Sequence, residues 1–149
     1  MEIRKIKPPE LGRLLHLYQY LNEIDDPLPR QEVIEDTWRQ MQDNKHHLIF
    51  GVFKSEHLVS SCVITITPNL TRGCRPYGLI ENVITHTDYR RRGYGRAVVQ
   101  HAINYAKKKD CYKIMLLTGR KNESTYRFYE SIGFDRNEKQ AFVIKFKAT

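Results

Sequence analysis

Asp88-Tyr89-Arg90-Arg91-Arg92-Gly93-Tyr94-Gly95-Arg96-Ala97 decides how this chain is read. The apolar run Leu79 to Ile84 leads into it, and an amphipathic segment, Ala97 to Ala106, leads out. That order predicts a strand, a glycine-containing turn and a helix. In the helix, Val98, Val99, Ala102, Ile103 and Ala106 fall on one stripe, while Arg96, Gln100, Asn104 and the lysines at 107–109 face away. Two glycines one residue apart let the backbone approach a bound group, and the helix start aims its unpaired amides and positive dipole end at the same point. Arginines at 90, 91, 92 and 96 add positive charge. A phosphate or pyrophosphate is the guest such a place would take. A simple tight turn with a solvated basic patch is the plain alternative. Neither the dinucleotide-binding fingerprint nor the P-loop fits, because Val98 and Val99 stand where a third glycine would be needed and no Gly-Lys-Ser/Thr follows.

Arg90-Arg91-Arg92-Gly93-Tyr94-Gly95 resembles the Arg/Gln-x-x-Gly-x-Gly/Ala signature of the GNAT family of N-acetyltransferases, and Asn122 to Phe134, with Phe128-Tyr129 and Gly133-Phe134, is similar to that family's later Asn…Phe-Tyr-x-x-x-Gly-Phe element. The resemblance implies that the turn's amides hold the pyrophosphate of acetyl-CoA. It assigns cofactor contacts to Val83, Ile84 and Thr85 on the preceding strand, to Arg90, Arg91, Arg92, Gly93, Tyr94, Gly95, Arg96 and Ala97 at the turn, and to Asn122 and Tyr129 downstream. An amide near Val83 or Ile84 is implied to meet the thioester oxygen. The local string Gly78-Leu79-Ile80-Glu81-Asn82-Val83, with Cys111-Tyr112-Lys113-Ile114, looks like the glucosamine-6-phosphate N-acetyltransferase branch, in which a glutamate at the position of Glu81 belongs to the active site.

The remainder of the chain is compatible with that order. With 149 residues it suits one domain with a real core, here read as a single N-acetyltransferase domain over 1–149. An apolar fraction of 40% and a charged fraction of 28% are ordinary for a globular protein. No apolar run approaches a membrane span, and Met1-Glu2-Ile3-Arg4-Lys5 has no signal-peptide core, so the expected location is the cytoplasm. Three cysteines without ligand spacing argue against a disulfide framework and against zinc. Cys62 and Cys111 are expected in apolar strands, Cys74 in an exposed loop. The net charge of +8 suggests nucleic acid, but the basic residues are dispersed and densest at the glycine turn, where a cofactor with several phosphates would use them.

Residues 2–7 read as a first strand closed by Pro8-Pro9. Leu11, Leu14, Leu15, Tyr18 and Leu21 recur at helical spacing, and Asp25-Asp26-Pro27 ends that segment. A second helix runs from about Arg30 to Gln42 with Ile34, Trp38 and Met41 on one face. His47–Lys54, Leu58–Thr67 and Tyr77–Thr85 form a meander, Pro68–Pro76 a loop, Cys111–Leu117 a strand parallel to Tyr77–Thr85, Glu123–Ile132 the last helix and Gln140–Lys147 the last strand. The fold class is α+β in layers, a mixed, mostly antiparallel sheet flanked by helices, in the order β-α-α-β-β-β-α-β-α-β.

Acetyl transfer to an amine needs an aligned neutral nucleophile, a donor for the developing oxyanion, a route for the amine proton and an acid for the thiolate. Glu81 interrupts an apolar strand, which is costly unless the carboxylate is paired or useful, and it is the candidate for the amine proton; pairing with an arginine, or a solvated edge, is its structural alternative. Tyr129 is the candidate acid for the thiolate, with an aromatic packing role as its alternative. Asn122 is a helix cap, a partner of the pantetheine arm, or both. The expected partners are acetyl-CoA and a small amine acceptor, with no nucleic acid, membrane or metal, and a homodimer is compatible. A cofactor sensor without turnover and a basic nucleic-acid-binding module are the competing classes. The acceptor is expected between the loop at 22–29 and the loop at 68–76, with Glu23, Asp25, Asp26 and Glu81 favouring a cationic amine and Arg72 and Arg75 an anionic one.

Overall fold

The structure, a computed structural model, describes residues 1–148, which fall into two compact units, Met1–Leu116 and the residues from Leu117 onward. The first holds a five-stranded sheet in the order β1-β2-β3-β4-β5, with β1 Glu2–Lys5, β2 His47–Lys54, β3 His57–Thr67, β4 Tyr77–Thr85 and β5 Ile114–Leu116. Neighbours are antiparallel except β4 and β5, which are parallel. The helices are α1 Leu11–Tyr18, α2 Gln31–Asp43, a short α3 Thr71–Cys74 and α4 Tyr94–Lys108; the second unit holds α5 Glu123–Ile132.

The middle strands are apolar on both faces because both faces are covered. Ile49, Phe53, Leu58 and Val63 pack with Leu14, Leu17 and Trp38 from α1 and α2. Phe50 points the other way, its ring 4.6 Å from that of His101 and 5.5 Å from that of Tyr105 on α4. The α4 stripe is buried as its periodicity demands, with Val98, Val99, Ala102 and Ala106 at 1% exposure or less. Full burial of each such Val or Leu contributes about 1.5–3 kcal/mol. Trp38 Nε1 donates to Pro8 O at 2.9 Å, satisfying the indole as it enters the core.

One carboxylate is spent on this architecture. Glu10 takes both Arg4 Nη atoms at 2.8 and 3.0 Å and the Lys7 amide at 2.7 Å. The Arg4 hydrogen bonds hold its carboxyl down at about 2, against a smaller opposing effect of burial.

The expected meander and final helix stand at their expected positions, and the structure differs from expectation at four places. Helix α1 ends at Tyr18 because Tyr20 and Leu21 turn their amides back to Leu17 and Tyr18 in tight i→i−3 bonds. The loop at 68–76 contains α3, with Arg72 and Gly73 left-handed. β5 begins at Ile114 instead of Cys111, so Cys111 is half-buried before the strand; Tyr112 N binds Pro76 O instead of a ladder partner. The expected strand Gln140–Lys147 has no partner strand among the described residues, and its residues are exposed.

Candidate functional site

The site begins with an irregularity in β4. Ser61 pairs with Ile84 and Val63 with Glu81, so Asn82 and Val83 together oppose Cys62 alone. This is a β-bulge, and Asn82 adopts φ +52°, which asparagine tolerates better than most residues. On the other side, β5 pairs only with Gly78, Leu79 and Ile80. From Glu81 to Thr85, β4 therefore has no strand on its β5 side among the described residues. An extended ligand could lie there as an added strand. Val83, Ile84 and Thr85, expected to contact the cofactor, all lie in this open stretch.

Beside the bulge, Tyr18 presents a buried hydroxyl with no hydrogen-bond partner among the described residues. Burial pushes the phenol up to about 12, against a smaller opposing effect of the Asn82 side chain. It keeps its proton at neutral pH. Glu81 is exposed, so the sheet does not bear the cost of burying its charge; no arginine or lysine pairs with it among the described residues.

The lower end of β4 is latched. Ser60 Oγ donates to Ile84 O at 2.9 Å and also meets Thr85 Oγ1 at 2.9 Å, and Arg90 Nε donates to Thr85 O at 3.1 Å. Thr85 and Arg90 thus have a structural use that their motif position did not reveal: they hold the strand end against the turn. His86 Nδ1 accepts from Asp88 N at 3.1 Å, and the chain then makes one 3-10 turn, Thr87–Tyr89.

Gly93 is the N-cap of α4 with φ +84°, a left-handed conformation that a side chain would strain, and a Cβ there would meet nothing within 4 Å. The space above the turn is open. The first intrahelical bond is Ala97 N to Gly93 O at 3.0 Å, so the amides of Tyr94 and Gly95 precede the helical ladder. No side chain caps this helix and no acidic residue stands in its first turn. Arg91 is left-handed at φ +61°, Arg92 lies 5.7 Å over the Tyr89 ring, and the side chains of 90, 91, 92 and 96 are exposed. Gly95 lies within the first helical turn and is not among the residues with a positive φ. Left-handed glycine, open space, free amides and positive charge together fit the pyrophosphate of acetyl-CoA.

In the second unit, Asn122 is a cap: its Oδ1 accepts Thr125 N at 2.9 Å. Tyr129 is half-buried, with its ring 5.0 Å from Phe128 and 6.0 Å from Phe134. Gly133, at φ +120°, closes α5, and Phe134 N reaches Tyr129 O at 3.2 Å. Among the described residues no set of His, Cys, Asp and Glu is placed to hold a metal ion, and no helix is long and apolar enough to cross a membrane.

The bulge, the β4 latch and the buried Tyr18 hydroxyl were not foreseen from sequence. A signal existed for the first, since asparagine inside an apolar strand invites a positive φ. The latch depends on Ser60 being opposite Thr85, a matter of register.

Comparison with known proteins agrees with this geometry. The family model described as "Acetyltransferase (GNAT) family" matches residues 14–134. Glucosamine 6-phosphate N-acetyltransferase of Trypanosoma brucei brucei is 29% identical over 140 residues, covering 94% of this chain and 92% of that protein. Among solved structures, "Putative acetyltransferase from Agrobacterium tumefaciens str. C58" is 43% identical with a TM-score of 0.92, covering 98% of this chain and 100% of that one. Glucosamine-6-phosphate N-acetyltransferase from Arabidopsis thaliana, at 20% identity and a TM-score of 0.83 over 97% of both chains, shares the fold. With a family model spanning most of its length, the chain belongs to the GNAT family of acetyltransferases and is an acyltransferase.

Proposed function

We propose that this protein is an acetyl-CoA-dependent N-acetyltransferase, a single catalytic domain that moves an acetyl group directly to a primary amine of a small molecule. The observation that carries this reading is the pairing of two features on one strand and turn: a bulged β4 left open beyond Ile80, and the uncapped, left-handed Gly93 start of α4.

Acetyl-CoA, when bound, supplies the activated acyl group. The residues of the chain then bind, orient and handle protons. The amides of Tyr94 and Gly95, with Arg91, Arg92 and Arg96, hold the phosphates. The open stretch from Val83 to Thr85 aligns the arm, and an amide at Val83 or Ile84 donates to the thioester oxygen as negative charge develops there. Glu81, exposed and without a charged partner among the described residues, takes the amine proton directly or through water. Tyr129 protonates the departing thiolate.

The acceptor is a small amine. The Trypanosoma relative favours an amino sugar phosphate, whereas Glu23, Asp25 and Asp26, all exposed, together with Glu81, favour a cationic amine without phosphate. Thermal stabilisation by acetyl-CoA or CoA against an oligonucleotide, followed by CoA release with an amine panel containing both acceptor kinds, tests the proposal. Stabilisation by CoA with no amine acetylated would make the protein a sensor, and stabilisation by the oligonucleotide alone would make it a nucleic-acid-binding module. If an amino sugar phosphate is the best acceptor, the acidic loop has no role in recognition. If a cationic amine is best, Asp25→Lys with Asp26→Lys raises its KM and spares that of acetyl-CoA.

A further inference from the structure

The turn between β2 and β3 meets the approach to α4 across a cavity of about 400 Å³, wholly within the unit Met1–Leu116. Lys54, Ser55 and His57 line it from the β2–β3 turn, and Asp88, Tyr89 and Arg92 from the segment before α4. Arg92 stands one residue before Gly93, so the cavity adjoins the glycine turn.

Both walls are fixed by the fold. Lys54 and His57 are the last pair of the β2–β3 ladder, and their neighbours Phe53 and Leu58 are buried at 2% and 8% exposure. Between them Ser55 turns the chain at φ +57°, in the left-handed region. On the other wall, the Tyr89 ring lies 5.5 Å from that of His86 and 6.3 Å from that of Tyr94, and its amide donates to His86 O at 2.9 Å. Arg92 lies 5.7 Å over the same ring. Walls held in this way lose little freedom when a ligand arrives.

The charges in this space are uncommitted. Lys54, His57 and Arg92 line it together, and none of them has a carboxylate partner among the described residues, although Asp88 shares the cavity. Side chains directly opposite in an antiparallel ladder are close neighbours, and two cations so placed repel each other. An anion between Lys54 and His57 turns that repulsion into attraction, and a phosphate, with several acceptor oxygens, can be shared among three donors. Asp88 has the opposite preference. Its carboxylate accepts a hydrogen bond from a hydroxyl and repels a second anionic group.

We propose that this cavity is a second phosphate site, made for a phosphate monoester on a hydroxyl-bearing carbon frame, with Lys54, His57 and Arg92 on the phosphate and Asp88 on a hydroxyl. Two sources supply that chemistry. One is the 3′-phosphate of acetyl-CoA, beside its ribose hydroxyl; the other is a separate sugar phosphate acting as an effector next to the glycine turn. The first rests on the acetyl-CoA reading above, and the second does not.

Calorimetric titration with acetyl-CoA and with acetyl-dephospho-CoA, which lacks only the 3′-phosphate, tests the first source in the native chain and in Lys54→Gln with His57→Gln. Thermal melts of the same proteins with ribose 5-phosphate, against ribose as control, test the second. Both substituted positions are exposed, so the core beneath them is untouched. If the cofactor's own phosphate is the occupant, the native protein prefers acetyl-CoA by about 10-fold and the double variant has no preference. If a separate ester is the occupant, the two cofactors bind alike, and ribose 5-phosphate raises Tm in the native protein but not in the double variant. Lys107→Gln with Lys108→Gln removes as many basic side chains elsewhere and is expected to keep either effect. The proposal is overturned by a preference or a Tm shift that survives substitution at 54 and 57, by one lost equally on substitution at 107 and 108, by a shift that ribose gives as well, or by no effect of either phosphate. A protein that binds neither cofactor defeats the acetyl-CoA reading and leaves the ribose 5-phosphate melts to decide this one.

Discussion

Two helices of this chain begin in opposite ways. α5 opens on Asn122, whose side chain caps Thr125 N, and its first turn contains Glu123, the favoured charge at a helix start. α4 opens on Gly93, which has no side chain to offer, has no acid in its first turn, and is surrounded by arginines. The same orphan amides and the same dipole exist at both. In α5 they are answered by the chain itself, and the end is finished. In α4 they are left over, and the arginines make the vacancy selective for an anion. A binding site is here a helix start from which the ordinary stabilising residues have been withheld.

The strongest way to break that comparison is to give α4 an acid of its own. Asparagine and aspartate are matched in size and both tolerate left-handed backbone. Gly93→Asp is expected to weaken acetyl-CoA binding by about 100-fold, roughly 2.7 kcal/mol, and Gly93→Asn by far less. Gly93→Val, β-branched at φ +84°, should abolish binding. Calorimetric titration of folded variants decides. Equal affinity in the Asp and Asn proteins would mean that the anion does not sit at this turn.

The next effect concerns what α5 does besides being capped. Tyr129→Phe should leave the KM for acetyl-CoA unchanged and lower kcat by about 10- to 100-fold, because only proton donation to the thiolate is lost. A full-rate variant would return Tyr129 to aromatic packing between Phe128 and Phe134.

A third concerns arginines committed to the fold, of which Arg4 is the clearest. Its hydrogen bonds lower Glu10 from the usual 4.5 to about 2. A carboxyl depressed on folding contributes stability that is complete above its unfolded value and lost as pH falls through the folded one. Stability should therefore decline between about pH 4.5 and 2 more steeply in the native protein than in Glu10→Gln, which denaturant titrations across that range would show. Parallel curves would remove Glu10 from the acid response.

How far all this could be read beforehand follows from the range of the interactions. The bounds of β2, β4 and α5 were legible because alternation, glycine and caps act within a few residues. The glycine turn was legible for the same reason, its chemistry lying in adjacent positions. The bulge at Asn82 and Val83 was not, since it exists only relative to Cys62 on the neighbouring strand. Nor was the latch of Ser60 on Thr85, 25 residues apart. The 140–147 stretch was read as a strand from its pattern, but pattern does not name a partner, and no ladder forms on it among the described residues.

A fourth prediction tests the finished helix start. Asn122→Ala should cost about 1 kcal/mol of stability in a denaturant melt, while Asn122→Asp, still an acceptor, should spare it. If Asn122→Ala also weakens acetyl-CoA, the cap has a second use on the pantetheine arm, and the contrast between the two helix starts becomes one of degree.

The smallest effect is expected at the arginines themselves. Arg136 is fully engaged by Glu123 and Glu130, whereas Arg91 is exposed and has no carboxylate partner among the described residues. An exposed charge pair is worth about 0.2–1 kcal/mol, so Arg91→Gln should weaken acetyl-CoA binding only about 2- to 5-fold at low salt. The Debye length shrinks from about 30 Å at 0.01 M to about 3 Å at 1 M, so the difference between native and variant should fade as salt is raised. Arg136→Gln should do the reverse, leaving affinity alone at every salt concentration and lowering thermal stability. Affinities of both variants across a salt series separate the two uses of arginine. A loss in Arg91→Gln that persists at high salt would mean that Arg91 makes a directed, desolvated bond to the phosphate, and the open helix start would then owe its selectivity to one side chain instead of to the field of four.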